Sequence, residues 1–130
     1  MDVLDNALRS LEMRMHCTMS AYSILCDLKN HKRELKTDAE IFDLIYRLYV
    51  SLQNVTEIYN ILKDYDIKCS ALVRTPDGKK RILASDITDI IDEKEIDDKV
   101  LQNYTRVLYN KKRGYRENWN IKTENPLQKD

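Results

Sequence analysis

Glycine and proline are scarce in this chain of 130 residues, which has two of each. Gly-rich phosphate-binding loops and the strained turns that expose a catalytic nucleophile depend on glycine, and all-β folds use many turns. The sequence therefore argues against these sites and against an all-β fold. With 42% hydrophobic and 34% charged residues, a single helical globular domain is the expected class.

An excess of one charge and long hydrophobic runs are also absent. Lysine plus arginine and aspartate plus glutamate each number 22, so the net charge is zero and only a local patch could attract nucleic acid. No run approaches the roughly 20 apolar residues of a membrane span. Asp2 and Asp5 stand where a signal peptide would carry positive charge. We expect no membrane partner and an intracellular location (cytoplasm, nucleus or nucleoid), which the odd count of three cysteines fits.

Cysteine and histidine are too widely spaced to predict chemistry. His16, Cys17, Cys26 and His31 form the single cluster of these residue types, but structural zinc sites use closer pairs. Cys17 and Cys26 lie nine residues apart, on opposite faces of a helix. No motif supplies an oxyanion hole or a turn that exposes a nucleophile. We therefore expect no enzymatic activity, catalytic residue, metal site, cofactor or small-molecule substrate.

Two apolar repeats with alternating steps of four and three residues dominate the first half of the chain. The first comprises Leu4, Leu8, Leu11, Met15, Thr18, Tyr22 and Leu25, and the second comprises Ile41, Ile45, Leu48, Leu52, Val55, Tyr59 and Leu62. A short polar bridge joins them, and Thr37 with Glu40 matches a capping box at the start of the second. The repeats predict a mainly α fold built on an antiparallel, coiled-coil-like hairpin of helices over 2–29 and 38–64.

The second half of the chain predicts smaller elements. Residues 67–83 alternate around Thr75-Pro76-Asp77-Gly78, which favours a small β-hairpin or an irregular insert. A third helix follows, with a stripe of Ile96, Val100, Tyr104, Val107 and Leu108, and we expect Gly114 to end it. The predicted organisation is a helical domain over residues 1–113 and a flexible basic-aromatic tail over residues 114–130.

The apolar surface of the first two helices exceeds what a short third helix and a hairpin could cover. This excess predicts association with a protein partner or with a second copy, and a homodimer is plausible. The leading function is a non-enzymatic interaction module: an adaptor, a complex subunit, or a small regulator or inhibitor. The candidate contact residues are amphipathic or cationic groups suited to interfaces: Tyr46, Tyr49, Tyr109, Arg113, Tyr115 and Trp119.

Charge segregation supports an alternative function. Residues 86–98 hold seven acids and one base, whereas residues 104–122 hold six bases and one acid among aromatic residues. Cations interleaved with aromatic rings can neutralise phosphates and stack on bases. The alternative is therefore a regulator that binds RNA or DNA through its basic residues: Lys79, Lys80, Arg81, Lys111, Lys112, Arg113 and Arg116.

The junction between the first two predicted helices carries a family resemblance. The segments Asp27-Leu28-Lys29-Asn30 and Arg33-Glu34-Leu35-Lys36-Thr37-Asp38-Ala39-Glu40-Ile41 resemble the helix–loop–helix of the YqeY-like proteins. Those proteins are related to the tail of a tRNA-dependent amidotransferase subunit. The resemblance covers at most residues 4–62 and implies a helical structure there and a link to tRNA.

Overall fold

The computed structural model describes residues 2–69 and 80–124, with the backbone alone for residues 80 and 114–124. The described elements are α1 (Val3–Lys29), α2 (Asp38–Leu52), α3 (Val55–Asp64), β1 (Lys68–Cys69), β2 (Lys80–Arg81), α4 (Ala84–Glu93) and α5 (Lys99–Glu124). The prediction of a mainly helical chain is confirmed.

The centre of the molecule is α2, which packs against each of the other four described helices. Its fifteen residues include eight buried ones, among them Leu44, Ile45 and Leu48. The predicted capping box is present at its start: the Glu40 backbone N–H donates to Thr37 Oγ1 at 3.3 Å, and the Thr37 N–H donates to Glu40 Oε1 at 3.2 Å. These two bonds fix where the polar bridge ends and the central helix begins.

The packing of α1 against α2 uses a different face of α1 from the predicted one. Cys17 and Ala21 are buried against the core, and the contacts run in opposite chain directions, with Arg14 beside Ser51 and Ser20 beside Arg47. The repeat residues of α1 from Leu4 to Tyr22 are instead exposed. The expectation that this seam zips the two helices together is therefore wrong. Small side chains at Cys17 and Ala21 let the backbones approach closely, which explains the choice of face.

The second predicted helix is divided in two. Gln53 adopts a left-handed conformation with φ 49° and ends α2, while the Asn54 side chain accepts a hydrogen bond from the Glu57 N–H at 3.1 Å and caps α3. The continuous helix to residue 64 was thus a wrong expectation, because a local capping bond competes with helix continuation at this asparagine. The break allows α3 to pack against both α2 and α4.

A short antiparallel strand pair follows α3, with Lys68 opposite Arg81 and Cys69 opposite Lys80. The hairpin alternative for this region is supported, and the predicted turn at 75–78 lies outside the described residues. Ile67, Cys69 and Ile82 are buried, so one face of the pair packs into the helical core as expected.

The last two helices differ from the sequence-based expectation in number and phase. The acidic stretch contains α4, in which Ile87, Ile90 and Ile91 are buried at helical spacing. The next helix, α5, is capped by Asp98, which accepts from the Leu101 N–H at 3.0 Å. It buries Leu101 rather than Val100 and continues through Gly114, where we expected it to end. The domain boundary at residue 113 and the flexibility of the tail stay predictions.

Candidate interaction surfaces

The most exposed apolar surface described lies along α1. We define the apolar stripe as six large side chains of this helix, each between 49% and 71% exposed: Leu4, Leu8, Leu11, Met15, Met19 and Tyr22. With 3.6 residues per turn, the six fall within an arc of about 80° around the helix axis. Leu11, Met15 and Met19, with Arg14 and Thr18, line a shallow groove on its surface.

The opposite side of α1 carries a second apolar set with the same spacing. Cys17, Ala21, Ile24 and Leu28 follow steps of four, three and four residues and pack into the core. Met15 and Cys17 are separated by about 200° around the axis, so the two sets face away from each other. One apolar face of α1 is therefore buried against the core, and the other is exposed.

Polar contacts fix the orientation of α1 on α2. Arg47 donates to Asp43 Oδ2 at 2.7 Å and to Ser20 Oγ at 3.0 Å, and its guanidinium lies 3.3 Å from His16 Nε2. One helical turn further, Thr18 donates to Ser51 Oγ at 2.9 Å. These directional bonds between the helices oppose rotation of α1 about its axis, which would be needed to bury the stripe.

The first ten residues of α1 extend beyond the packed body. Every residue from Val3 to Glu12 is exposed, whereas Met13 packs against the core and the Arg14 guanidinium donates to the Ser51 carbonyl at 3.2 Å. This projecting segment is about 15 Å long at 1.5 Å per residue. It carries Leu4, Leu8 and Leu11, half of the stripe, and all three side chains are exposed.

Two of the six candidate contact residues are core residues. Tyr46 and Tyr49 are 0% and 2% exposed. The Tyr46 hydroxyl lies 2.8 Å from the carbonyl oxygens of both Ile91 and Lys94, to which it can donate. These tyrosines were chosen as amphipathic surface groups, and this assignment is wrong because their rings fill the centre of the fold.

The C-terminal end of α4 shows why Tyr46 is buried. Arg106 of α5 donates to the same two carbonyls, Ile91 at 2.8 Å and Lys94 at 2.9 Å. Burial raises the pKa of the Tyr46 hydroxyl, and the nearby Arg106 acts in the opposite direction. A cation and a phenol thus satisfy the carbonyls at a helix end, where positive charge is favourable.

Tyr109 and Arg113 lie together beside a cleft between α5 and the junction of α2 with α3. The rings of Tyr49 and Tyr109 meet edge to face with centroids 5.8 Å apart, and the Arg113 guanidinium lies 5.5 Å from the Tyr109 centroid. Gln53, Asn54 and Lys112 also line this cleft. Tyr115 and Trp119 belong to the backbone-only part of α5, so their side chains lie outside the described residues.

The basic residues of the alternative function occupy two distant places. Arg81 forms an ion pair with Asp66 at 3.4 Å after the end of α3, whereas Lys112 donates to the Gln53 carbonyl before its start. The ten residues of α3 between them span about 15 Å. Lys111 is exposed at the second place; Lys79 and the side chains of Lys80 and Arg116 lie outside the described residues.

Some of the segregated acidic and basic side chains are paired with each other or with backbone carbonyls within the chain. Arg113 pairs with Asp92 of α4 at 3.3 Å, and Arg106 binds the carbonyls at the end of the same helix. The acidic stretch and the start of the basic stretch therefore lie on adjacent packed helices. Two of the cations that suggested phosphate binding already have acceptors in this fold.

The His and Cys residues considered as metal ligands do not form a cluster with acidic side chains in the part of the chain described. No three side chains of His, Cys, Asp or Glu come together there in a way that could hold a metal ion. Burial raises the pKa of the Cys17 thiol, opposed by Arg47 and reinforced by Asp98 and Asp43. Such a protonated, buried thiol is a poor nucleophile.

Comparisons with known protein families, curated proteins and solved structures give no match to this chain. The likeness to the YqeY-like proteins around Asp27–Ile41 thus stays a local resemblance. Among the described helices, none combines the length and apolar character needed to cross a membrane.

The sequence contained a signal for the apolar stripe that our choice of contact residues did not use. Its leucines were assigned to a contact with α2, although Cys17, Ala21, Ile24 and Leu28 form a second set with the same spacing. Two such sets on opposite sides of one helix predict two separate packing surfaces. Among the described residues, the set with Cys17 and Ala21 packs against the core, and the leucines of the other set are exposed.

Proposed function

We propose that this chain is a non-enzymatic protein-interaction module, acting as an adaptor, a complex subunit, or a small regulator or inhibitor. The single observation that carries the proposal is the apolar stripe of α1, with six large side chains exposed along one side. Folded monomers rarely expose a contiguous apolar patch larger than a few hundred Å². Another chain that covers the stripe removes this surface from water, which is the main favourable term in association.

The spacing of the stripe supports a helical partner. Leu4, Leu8, Leu11 and Met15 alternate in steps of four and three, the pattern by which one helix meets another along a coiled-coil seam. Within the chain, α2 packs on the other side of α1. The coiled-coil-like contact expected from the sequence is thus proposed between chains rather than between α1 and α2.

The cysteines support an intracellular setting for this module. Cys17 and Cys26 are free thiols, and Cys17 is buried in the core. Free thiols persist in reducing compartments and tend to be oxidised in secretory ones. We propose that the chain works in such a reducing compartment.

The nucleic-acid alternative has weaker support. It relies on the exposed Lys111 and on the basic run of α5, yet Arg81 and Arg113 are paired with carboxylates. Salt separates the two functions, because phosphate binding weakens steeply between about 50 and 200 mM salt. Binding through the apolar stripe should change little over the same range.

Capture from the native cell tests the proposed function. Leu8→Lys with Leu11→Lys places two charges in the stripe, whereas Asn6→Lys with Ser10→Lys places the same charges on the other side of the projecting segment. All four positions are exposed, so both variants should keep the fold. Tagged wild type and both variants would be captured with and without nuclease, and proteins identified by mass spectrometry.

The wild type and the Asn6/Ser10 variant should recover the same stoichiometric protein, either a different protein or untagged copies of this chain. The Leu8/Leu11 variant should lose it, and nuclease should have no effect. Capture that is equal for all three proteins would contradict the assignment of the stripe. Recovery of nucleic acid, with protein lost on digestion, would favour the alternative.

A further inference from the structure

We infer that the chain covering the apolar stripe is a second copy of this chain, with the two α1 helices packed antiparallel about a twofold axis. This inference rests on the proposed function and names its partner. A homodimer requires a surface that complements itself, because the same patch must serve on both copies. The stripe meets this requirement through its length and through the pairing of its side chains across the twofold axis. The distribution of charge along α1 also fits.

The length and the accessibility of the stripe both suit a second copy. The stripe runs from Leu4 to Tyr22, about 27 Å at 1.5 Å per residue. The buried residues Cys17 and Ala21 lie on the opposite side of α1, and the stripe itself is exposed. Full overlap of two antiparallel stripes puts the twofold axis level with residue 13, midway between Leu4 and Tyr22.

The side-chain layers match in that register. Leu4 faces Tyr22 of the second copy, Leu8 faces Thr18 of the second copy, and Leu11 faces Met15 of the second copy; each layer occurs twice. Five of the six large residues of one stripe thereby meet a residue at a seam position of the other, as in a two-stranded coiled coil. Met19 lies at the edge of the seam, where it can cover the layers from the side.

The exposed area of the stripe is comparable to what a stable dimer needs. Its six large side chains, between 49% and 71% exposed, offer on the order of 700 Å² per copy, part of which a contact would bury, whereas a standard interface buries roughly 800 Å² per partner. The contact is continuous and contains no charged side chain among the six. Such a composition is typical of the core of a homodimer interface.

Charge favours the antiparallel arrangement. Residues 2–12 hold three acids and one base, for a net charge of −2, whereas residues 13–29 hold two bases and one acid, for a net charge of +1. Antiparallel packing sets the acidic half of each helix against the basic half of the other. Parallel packing would place the two acidic halves, and the two positive helix ends, side by side.

Sedimentation equilibrium of the purified full chain tests the identity of the partner. Wild type should sediment as a dimer of about twice 15.4 kDa at concentrations near 100 µM. The Leu8→Lys/Leu11→Lys variant should dimerise about 30-fold or more weakly, and the Asn6→Lys/Ser10→Lys variant should match wild type. A monomeric wild type, or a dimer indifferent to the Leu8/Leu11 change, would overturn the inference.

Disulfide trapping tests the orientation. Leu4→Cys and Tyr22→Cys would each be made with Cys26→Ser, because Cys26 is half-buried near Tyr22 while Cys17 and Cys69 are buried. A mixture of the two variants should form a disulfide-linked dimer on oxidation, and Leu4→Cys alone should not. Linkage of Leu4→Cys to itself would show parallel packing and overturn the antiparallel arrangement.

The failure of this inference differs from the failure of the proposed function. A purified chain that is monomeric, while the Leu8/Leu11 variant loses a different protein on capture from cells, would reject the second copy and keep the interaction module. A monomeric chain whose variants all behave as wild type in the capture experiment would reject both.

Discussion

At the scale of single residues, several groups that look suited to binding are used to hold the helices together. Tyr46 and Arg106 satisfy the carbonyls of Ile91 and Lys94, and Arg47 joins α1 to α2. Sequence alone does not distinguish a buried tyrosine from an exposed one, because both positions favour an amphipathic ring. The two cases are distinguished by the hydrogen-bond acceptors that the fold brings next to the hydroxyl.

The hydroxyl of Tyr46 provides a direct test of this structural role. Tyr46→Phe keeps the ring and removes the hydroxyl that donates to the carbonyls at the end of α4, so we expect a loss of about 1 kcal/mol in the free energy of unfolding. Tyr59→Phe is the matched control, since Tyr59 is half-buried and its hydroxyl has no hydrogen-bond partner among the described residues. Urea denaturation of both variants measures the difference; equal stability would contradict the role of Tyr46.

The thiol of Cys17 predicts a pH dependence of stability. Its pKa is raised by burial, so the unfolded chain loses the thiol proton first as the pH rises. The contribution of this thiol is therefore present below its unfolded pKa of roughly 8.5 and is lost as the pH rises through the folded value. The stability of wild type relative to Cys17→Ala should fall between about pH 8 and pH 10, measured by urea denaturation. A difference that stays constant with pH would contradict the burial of this thiol.

At the scale of elements, the sequence predicted those features that depend on residues close together in the chain, such as helix caps and strand pairing. The Thr37–Glu40 capping box and the pairing of the strands around residues 67–83 were readable because each depends on residues close in sequence. The break at Gln53 was missed because the apolar repeat continues across it. The phase of α5 was missed by one position, since Val100 and Leu101 are both apolar and only the packed core selects between them.

The break between α2 and α3 depends on the Asn54 cap. Asn54→Ala removes the acceptor for the Glu57 N–H and should cost about 1 kcal/mol of stability. Asn60→Ala, at an exposed position inside α3, is the control and should be neutral or slightly stabilising, because alanine favours a helix interior. Thermal or urea denaturation compares the two variants. A larger loss from the Asn60 change would argue against the cap.

At the scale of the whole molecule, the sequence predicted an excess of apolar surface, but two of the contact residues chosen for it, Tyr46 and Tyr49, lie in the core. The excess of apolar surface was readable from composition and spacing. The exposed face of α1 could not be predicted from the sequence. Contacts of Arg47, Ser20 and Ser51 select that face, and they form only when α1 packs against α2. The charge segregation of the second half was likewise readable, whereas its partial neutralisation by Arg113 and Asp92 depends on the packing of α5 beside α4.

The projecting segment Val3–Glu12 offers the most direct test of the central claim, that the outer face of α1 joins chains. A helix without tertiary cover frays, and its amides exchange rapidly with solvent. Hydrogen exchange would be measured for this segment at high protein concentration in wild type and in the Leu8→Lys/Leu11→Lys variant. We expect slow exchange in wild type and fast exchange in the variant. Equal exchange in the two proteins, whether fast or slow, would contradict it.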